Sequence, residues 1–263
     1  MTLAITIILF IYGLVIGSFL NVVICRYNTQ KTFGGRSACM SCNKTLCWYE
    51  LIPLGSFLIQ GGKCRGCKSK ISIQYPMVEM IVGFIFAVIF LKYQDLFWNN
   101  TFNFSVLLAY YATLFSILIV ISVYDIKHKI IPDLMSLIFS IITFAGIFLF
   151  SGENLSLHIP TLSAFLAGPL LALPFAFLWF VSRGTWMGFG DAKLALGLGW
   201  MLGITVGFSA VLMSFWIGGI ISVFLLLFSK KYKIKSELPF APFLVLGTIV
   251  VFLFNLNFFN LTF

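Results

Sequence analysis

One long apolar stretch of the chain decides the fold. It covers residues 192–228 and reads AKLALGLGWMLGITVGFSAVLMSFWIGGIISVFLLLF, in which Lys193 is the single charge. One crossing of a bilayer takes about 20 apolar residues. These 37 residues are too many for one crossing and comfortable for two, with a turn near Gly203. The stretch therefore predicts two transmembrane helices in succession.

The composition of the whole chain agrees with a membrane protein. Of the 263 residues, 60% are hydrophobic and only 10% are charged, whereas an ordinary soluble domain carries about 25% charged side chains. This excludes a soluble protein, and the predicted fold class is an all-α polytopic membrane protein with about eight transmembrane helices. The predicted spans cover residues 3–24, 77–93, 104–124, 133–150, 161–182, 191–204, 206–228 and 240–258.

The lysines and arginines predict the orientation, because they concentrate on the cytoplasmic side of a membrane. With the N-terminus outside, 16 of the 17 basic residues fall on the inner side, and Lys92 is the exception. The positive charge is then a consequence of topology and gives no reason to expect a nucleic-acid partner. No basic residue precedes the first span and Arg26 follows it, the reverse of a signal peptide, so we expect this span to be retained.

One polar block is large enough to fold outside the bilayer, and it sets the predicted domain organisation. The block covers residues 25–76. We therefore predict a first transmembrane helix over residues 1–24, a cytosolic module over 25–76, and a seven-helix membrane domain over 77–263.

Two Cys-x-x-Cys pairs in this module predict a structural zinc site. They are Cys39-Met-Ser-Cys42 and, after 21 residues, Cys64-Arg-Gly-Cys67. Four thiolates at this spacing can converge on one tetrahedral zinc ion, and the reducing cytosol disfavours disulfides. Since four sulfur ligands leave no open position for catalysis, zinc is expected to replace a hydrophobic core. A redox role for either pair is the alternative.

The module contains two further cysteines. Cys25 stands at the membrane edge and Cys47 follows the first pair. Both are interpreted as packing thiols, and Cys47 remains an alternative to one of the four ligands.

The chain has eight acidic residues, and acid-base chemistry must be sought among them, the two histidines and the cysteines. They are Glu50, Glu79, Asp95, Asp125, Asp133, Glu153, Asp191 and Glu237. By the predicted topology, Asp95 and Glu153 are solvated charges of outer loops, and Glu50 and Glu237 are surface charges of inner loops. Asp133 opens a predicted span after a proline, which is typical of a helix N-cap.

Asp125 and Asp191 are the candidate catalytic pair. Asp125 ends the third predicted span and Asp191 opens the sixth. They are 66 residues apart, but counting the crossings places both at the cytoplasmic boundary of the membrane, where they could meet. Two carboxyl groups within about 3 Å cannot both ionise easily, so one retains a proton, as in the aspartic proteases. The ionised group would activate water and the protonated group would polarise the scissile carbonyl.

Four residues are candidates for substrate approach. Gly188 and Gly190 precede Asp191, and their lack of side chains would let a substrate strand approach the backbone; a plain interhelical turn is the alternative. Lys193 marks the inner boundary or biases the charge of Asp191. Glu79 lies just inside the second predicted span, where a buried acid is expensive and is therefore a candidate functional group.

The sequence has few of the residues and motifs that other hydrolytic mechanisms require. His128 and His158 fall on opposite sides of the membrane by the predicted topology, so they cannot form one HExxH-type zinc site. The sequence contains neither a Walker A motif nor a Gly-x-Ser-x-Gly nucleophile elbow.

Together these motifs resemble those of the bacterial type IV prepilin peptidases, which are polytopic aspartic proteases of the Gly-x-Gly-Asp kind. The resemblance covers nearly the whole chain. It rests on Gly17-Ser18-Phe19-Leu20-Asn21-Val22-Val23 with Arg26, the two cysteine pairs, Trp48-Tyr49 with Ile52-Pro53, Tyr75-Pro76 with Glu79, Asp125 with Ile131-Pro132-Asp133, and Gly188-Phe189-Gly190-Asp191-Ala192-Lys193. The last two motifs are the most diagnostic, because each matches in residue type and in membrane position.

The resemblance implies a bacterial cytoplasmic-membrane enzyme that cuts a short basic leader from prepilins or pseudopilins at the cytoplasmic face. It also implies that Asp125 and Asp191 are the catalytic pair. Many members that carry the cysteine module methylate the new N-terminal amine with S-adenosylmethionine. The sequence contains no recognisable motif for this cofactor, so the second activity and its cofactor rest on the resemblance alone.

Two alternatives remain from the sequence. A polytopic transporter or an assembly scaffold with a zinc-braced cytosolic module belongs to another functional class, but a transporter would be expected to place its polar groups near the bilayer midplane. A protease of the presenilin or signal-peptide-peptidase type shares Gly-x-Gly-Asp, and Tyr124-Asp125 fits its Tyr-Asp motif, but that type lacks the cysteine pairs.

Overall fold

A computed structural model describes residues 1–29, 32, 34–228 and 238–259 of the chain. It divides into two compact units, Met1–Ser116 and Ile117–Phe263, here named unit 1 and unit 2. The predicted inner loop that contains Lys230, Lys231, Lys233 and Lys235, and the predicted surface charge Glu237, lie outside the described residues.

Unit 1 contains a long helix pair with the cysteine module between its two helices. Its elements are α1 (Thr2–Arg26), a 3-10 turn (Trp48–Glu50), α2 (Gly55–Ile59), α3 (Gln74–Lys92), α4 (Gln94–Asn99) and the first part of α5 (Thr101–His128). Helices α1 and α3 pack closely because glycines line their contact. A Cβ at Gly13 would lie 2.8 Å from the Cα of Gly83, and a Cβ at Gly17 would lie 2.7 Å from the Cα of Glu79. Small residues give this close approach in membrane helix pairs.

Unit 2 is a helical bundle with one short hairpin. It contains the end of α5, then α6 (Asp133–Leu149), the strands β1 (Phe150–Ser151) and β2 (Asn154–Leu155), α7 (Leu162–Ser182), α8 (Phe189–Leu202), α9 (Ile204–Phe228) and α10 (Ala241–Phe254). The two strands pair antiparallel in the order β1-β2.

Helix α8 lies at the centre of unit 2, where it packs against α6 and α7 and also contacts α9 and α10. Its glycines make this possible. A Cβ at Gly197 would lie 2.5 Å from the ring of Phe139 in α6, and a Cβ at Gly199 would overlap the carbonyl group of Ala167 in α7. Leu194 in α8 is fully buried. The central position of α8 fixes the place of Asp191 near its N-terminus.

Each predicted span corresponds to one helix, and the ends agree within four residues. The predicted turn between the sixth and seventh spans lies at Gly203, which has a φ of +78°. The third span is longer than predicted, because α5 continues through Asp125 to His128 and ends before Lys129, whose φ is +55°. The sequence did not predict α4 or the short hairpin.

The all-α membrane class is confirmed, and the count of eight spans is not confirmed. Among the described residues, five helices are long and apolar enough to cross a membrane: α1, α3, α5, α7 and α9. Helices α6, α8 and α10 have 17, 14 and 14 residues. At about 1.5 Å per residue they are roughly 21 to 26 Å long, shorter than a hydrocarbon core of about 30 Å.

Candidate active site and metal centre

Asp125 lies in the last turn of α5 with its side chain buried. The residue is 5% exposed, and its carboxylate accepts a hydrogen bond from the backbone N–H of Ala241. Ala241 is the first residue of α10. Because the first N–H groups of a helix have no partner within that helix and lie at its positive end, they suit a carboxylate. This hydrogen bond thus holds the carboxylate of Asp125 at the first residue of α10.

Asp191 is the third residue of α8, and Gly188 is the N-cap of that helix. Its carboxylate accepts a hydrogen bond from the N–H of Gly188, and its own N–H donates to the carbonyl of Gly188 over 3.2 Å. A carboxylate in the third helical position that reaches back to the N-cap N–H is half of a capping box. Asp191 is 7% exposed, so this bond orients a buried carboxyl group.

The structure brings these two carboxyl groups together within unit 2. Both are buried, each is held by a backbone N–H at the beginning of a helix, and the charge of Asp125 acts on Asp191. From the sequence we expected that the two acids could meet. The sequence did not predict the donors, since the pairing of Asp125 with Ala241 joins residues that are distant in the chain.

Gly190 and Gly188 have different surroundings. A Cβ at Gly190 would lie 2.9 Å from the Cβ of Ile131, so the missing side chain lets the loop before α6 approach α8. A Cβ at Gly188 would meet the Oδ2 atom of Asp191 at 3.8 Å, an ordinary contact. The backbone at Gly188 therefore lies directly beside the carboxylate, whereas the backbone at Gly190 is covered by Ile131.

Lys193 forms an ion pair with Asp133, and its Nζ lies 2.7 Å from the Oδ1 of Asp133. Its ammonium group also lies 5.4 Å from the ring centroid of Phe189. The predicted N-cap role of Asp133 was wrong by one position, because Pro132 is the N-cap of α6 and Asp133 is the first helical residue. Its negative charge still lies at the positive end of the helix. One signal in the sequence pointed to the ion pair, namely opposite charges at the same predicted depth.

The contacts of the two histidines are with residues other than the carboxyl pair. The ring of His128 lies 4.4 Å from that of Tyr124, and the Nδ1 of His158 lies 3.1 Å from the carbonyl oxygen of Ser156 next to the hairpin. His128 is exposed and His158 is half-buried.

The four predicted metal ligands converge. The sulfur atoms of Cys39, Cys42, Cys64 and Cys67 all lie within 4.8 Å of one another, and those of Cys39 and Cys67 are 3.8 Å apart. Tetrahedral zinc with Zn–S bonds of about 2.3 Å places its sulfur ligands about 3.8 Å apart, so the cluster fits zinc. All six cysteines of the chain are free thiols, and among the described residues the cluster comprises these four.

The two pairs share one backbone design, which explains the convergence. In each knuckle the N–H of the first cysteine donates to a carbonyl five residues later, from Cys39 to Lys44 and from Cys64 to Ser69. The residue four positions after each first cysteine has a positive φ, which is +54° at Asn43 and +59° at Lys68. These tight turns leave backbone N–H groups that point at the sulfur atoms.

Those N–H groups favour thiolates, the form that binds zinc. The N–H groups of Cys42 and Ser41 lower the pKa of Cys39 to about 6. The hydroxyl and the N–H of Ser69 lower the pKa of Cys67. The N–H of Lys44 acts in the same direction on Cys42, but the neighbouring sulfur atoms of Cys67, Cys39 and Cys64 raise the pKa of Cys42 to about 11. The site therefore supplies the geometry for a structural zinc ion and favours the thiolate form at Cys39 and Cys67.

Cys25 and Cys47 lie outside the cluster. The sulfur of Cys25 is 3.5 Å from the hydroxyl of Tyr75, and the N–H of Cys47 donates to a carboxylate oxygen of Glu50 over 2.9 Å. Glu50 is 7% exposed and also pairs with Lys44 at 3.4 Å. The prediction that Glu50 is a surface charge was therefore wrong, because the 3-10 turn carries it into the module and supplies its partners.

Glu79 lies in unit 1, in contact with α1 and with the segment between the two knuckles. Its Oε2 accepts a hydrogen bond of 2.9 Å from the N–H of Leu54, and the hydroxyl of Ser18 also bonds to its carboxylate. Leu54 has a φ of +55°, which a leucine rarely adopts. The contacts of this buried acid therefore join α1, α3 and the cysteine module.

A buried polar side chain without a predicted role contacts α3 one helical turn before Glu79. Asn21 is 1% exposed; its side-chain amide donates to the carbonyl of Tyr75 over 3.1 Å, and its side-chain oxygen accepts from Gln74 over 3.4 Å. The signal was an asparagine in an otherwise apolar span, since a buried polar side chain needs partners.

Comparisons with known proteins agree with both parts of the chain. Residues 11–93 match the Bacterial Peptidase A24 N-terminal domain, and residues 112–223 match the Type IV leader peptidase family. A prepilin leader peptidase/N-methyltransferase of Bacillus subtilis (strain 168) is 34% identical over 252 residues, which are 94% of each chain. The chain belongs to the type IV leader peptidase family.

Other relatives of the same name extend this family match. The protein of Vibrio cholerae serotype O1 is 29% identical over 252 residues, 92% of this chain and 94% of the relative. That of Neisseria gonorrhoeae is 30% identical over 221 residues, 74% and 73% of the two chains. No solved structure matches this member of the family. The N-terminal match contains the cysteine cluster and Glu79, and the type IV leader peptidase match contains Asp125 and Asp191.

Proposed function

We propose that this member of the type IV leader peptidase family is a membrane aspartic endopeptidase. Its substrates are type IV prepilins or pseudopilins, from which it removes the basic leader. The printed name of the relatives, prepilin leader peptidase/N-methyltransferase, supports the substrate. The observation that supports the aspartic mechanism most strongly is the buried pair of Asp125 and Asp191, whose charges interact.

In the proposed mechanism the two carboxyl groups hold one proton between them, because two like charges in one buried site are unfavourable. The ionised carboxylate takes a proton from a water molecule, whose oxygen attacks the carbonyl carbon of the scissile peptide bond. The protonated carboxyl gives its proton to the carbonyl oxygen. When the tetrahedral intermediate collapses, that oxygen returns its proton to a carboxylate, the C–N bond breaks, and the other carboxyl protonates the leaving nitrogen.

The backbone donors of Ala241 and Gly188 support this mechanism. Each donates to one carboxylate, and a backbone N–H at the beginning of a helix cannot rotate away as a side chain can. Each aspartate is therefore oriented before substrate binds, which lowers the entropic part of the barrier.

We propose that the substrate strand approaches the backbone at Gly188 and Gly190, beside Asp191. The space beside Gly188 supports this, because a Cβ there would make only ordinary contacts. At Gly190 the substrate would have to pass Ile131. A role of Lys193 and Glu79 in substrate approach stays a prediction, since their contacts are with Asp133 and with Leu54 and Ser18.

Methylation of the new N-terminus is supported by the relatives' name, and S-adenosylmethionine is the methyl donor that the resemblance implies. When bound, this cofactor supplies an electrophilic methyl group. Every buried side-chain nitrogen or oxygen of the described residues has a hydrogen-bond partner, so no unpartnered polar atom among them marks a site for this cofactor.

The zinc ion is proposed to be structural. Cys39, Cys42, Cys64 and Cys67 would hold it, and four thiolates would close its coordination shell. It would fix the two knuckles relative to each other and would not touch the substrate bond.

The chain is a multi-pass membrane protein, and the bacterial inner membrane is its proposed location. We propose that the N-terminus is outside and that the active site and the cysteine module face the cytoplasm, because this orientation places 16 of 17 basic residues inside. We propose that the chain is divided by function into a first transmembrane helix (residues 1–24), the cysteine module (25–76) and a membrane protease domain (77–263). Prepilins or pseudopilins and the lipid bilayer are the proposed partners, and no nucleic-acid partner is proposed.

Co-expression with a prepilin that has a basic leader tests the function. Asp125→Ala and Asp191→Ala should each abolish leader removal at unchanged protein levels, because neither carboxyl can complete proton transfer alone. Asp133→Ala is the matched control and should retain substantial processing, since Asp133 pairs with Lys193. Normal processing by either of the first two variants would refute the aspartic mechanism.

A further inference from the structure

The segment between the two knuckles exposes large apolar side chains that neither the zinc site nor the carboxyl pair uses. This segment, residues 48–59, is here named the apolar segment. Trp48, Leu58 and Ile59 are 78%, 76% and 75% exposed, and Leu51 and Ile52 are 40% and 43% exposed. A cluster of exposed apolar residues in so short a stretch marks an interaction surface.

The hydrogen bonds of Leu54 determine the depth of the apolar segment. Its N–H donates to Glu79, which lies five residues after Gln74, the first residue of α3. At about 1.5 Å per residue this is roughly 7 to 8 Å along the helix. Helix α3 is long and apolar enough to cross a membrane. The backbone at Leu54 therefore lies beside a membrane helix and beyond its polar end, at the level where headgroups give way to acyl chains.

The same acid also contacts Ser18, eight residues before Arg26, the last residue of α1. Glu79 thus links the apolar segment to the beginning of α3 and to the C-terminal part of α1. Near the same end of α3, Met77 and Met80 are also exposed.

Positive charges lie next to the apolar segment. The guanidinium group of Arg65 lies 5.1 Å from the ring centroid of Tyr49, and Lys63 follows α2 by four residues. Glu50 is the single acid in residues 25–76, and Lys44 neutralises it. An apolar surface with cations at its edge fits an anionic leaflet, in which each lysine or arginine near the surface strengthens binding.

We propose that the apolar segment is a membrane-docking surface for the anionic lipids of the leaflet that faces the cysteine module. Leu51, Ile52, Leu58 and Ile59 enter the boundary between headgroups and acyl chains, and Arg65 and Lys63 bind lipid phosphates. Trp48 lies at the headgroup level, where the indole ring is favoured. Charge favours lipid over a prepilin at this surface, because a basic leader would be repelled by the basic edge. Docking does not depend on the proposed peptidase mechanism.

The test uses the full chain in nanodiscs that contain phosphatidylglycerol and a phospholipid with a photoreactive diazirine near the upper part of its acyl chain. After irradiation, mass spectrometry should find lipid attached to the peptide that contains residues 51–59. The double variant Leu58→Gln and Ile59→Gln should lose this attachment by at least about tenfold, in line with the loss of two apolar side chains. Met40→Gln, at a similarly exposed apolar site in the first knuckle, should leave the attachment unchanged.

The lipid charge provides a second measurement on a folded variant. Arg65→Gln should lower attachment roughly fivefold at limiting phosphatidylglycerol and have little effect in nanodiscs of phosphatidylcholine alone. Absence of lipid attachment at residues 51–59 in the wild-type chain would overturn the proposal. Displacement of the lipid by an added prepilin, with cross-linking of the prepilin to the same residues, would also overturn it and would make this surface a substrate site.

Discussion

Removal of zinc is expected to unfold the cysteine module and to leave the membrane helices folded. Over residues 34–73, Cys64 is the one hydrophobic residue that is buried. The module therefore has almost no hydrophobic core of its own, and a small domain of this kind depends on its metal to fold. A structural zinc ion contributes about 10 to 16 kcal/mol.

Hydrogen exchange of the purified full chain measures this effect. On addition of a strong zinc chelator, amides in residues 36–72 should exchange at least about 1,000-fold faster, because about 4 kcal/mol of the zinc contribution already corresponds to that factor. Amides of α3 and α8 should change little. Metal analysis of the untreated protein should find about one zinc ion per chain.

Two cysteine variants give the matched control. Cys64→Ser should behave like the chelated protein, since it removes one of four ligands. Cys47→Ser should keep its zinc and its protection, because Cys47 lies outside the cluster. Unchanged exchange of residues 36–72 after zinc removal would refute the reasoning, and loss of zinc from Cys47→Ser would show that the ligand set is wrong.

Three further outcomes are expected. The hydrogen bond from the N–H of Cys47 and the ion pair with Lys44 lower the pKa of Glu50. Glu50 therefore stabilises the module at pH values above its unfolded pKa of about 4.3, and this stabilisation is lost as the pH falls through the lower folded pKa. When proteolysis of the module is measured against pH, Glu50→Gln should reduce the loss of resistance at acid pH. Gly199→Ala should destabilise the protein by about 1 to 3 kcal/mol through overpacking against α7, whereas Gly219→Ala in α9 has open space and should not; thermal unfolding compares them, and equal midpoints would contradict the packing described. Lys193→Ala should change stability by less than about 1 kcal/mol, because its ion pair is exposed; a drop of several kcal/mol in the same experiment would contradict this.

The helix positions could be predicted because they depend on local sequence. Apolar length, glycine and proline determine where a span begins and ends, as the turn at Gly203 between α8 and α9 illustrates. The two knuckles could be predicted for the same reason, since each is a short local hairpin. The number of crossings could not, because α6, α8 and α10 are too short to be assigned as spans from their length alone.

The contacts that orient the acids could not be predicted, because they join distant parts of the chain. Nothing near Asp125 in the sequence points to the N–H of Ala241, and nothing near Glu79 points to the N–H of Leu54. In both cases the partner is a backbone group, which every residue carries and which no motif marks. Residue type and predicted membrane depth pointed to the candidate acids, and only the tertiary structure supplied their donors.

The catalytic pair is tested most directly by single-turnover leader cleavage with the purified protein. Asp125→Asn, Asp191→Asn and the double variant are compared at a prepilin concentration that saturates binding. If the two carboxyls act as one unit, each single variant should lose at least about 1,000-fold in rate, and the double variant should be no slower than either. A single variant that retains a tenth or more of the wild-type rate, or losses that multiply in the double variant, would contradict the account.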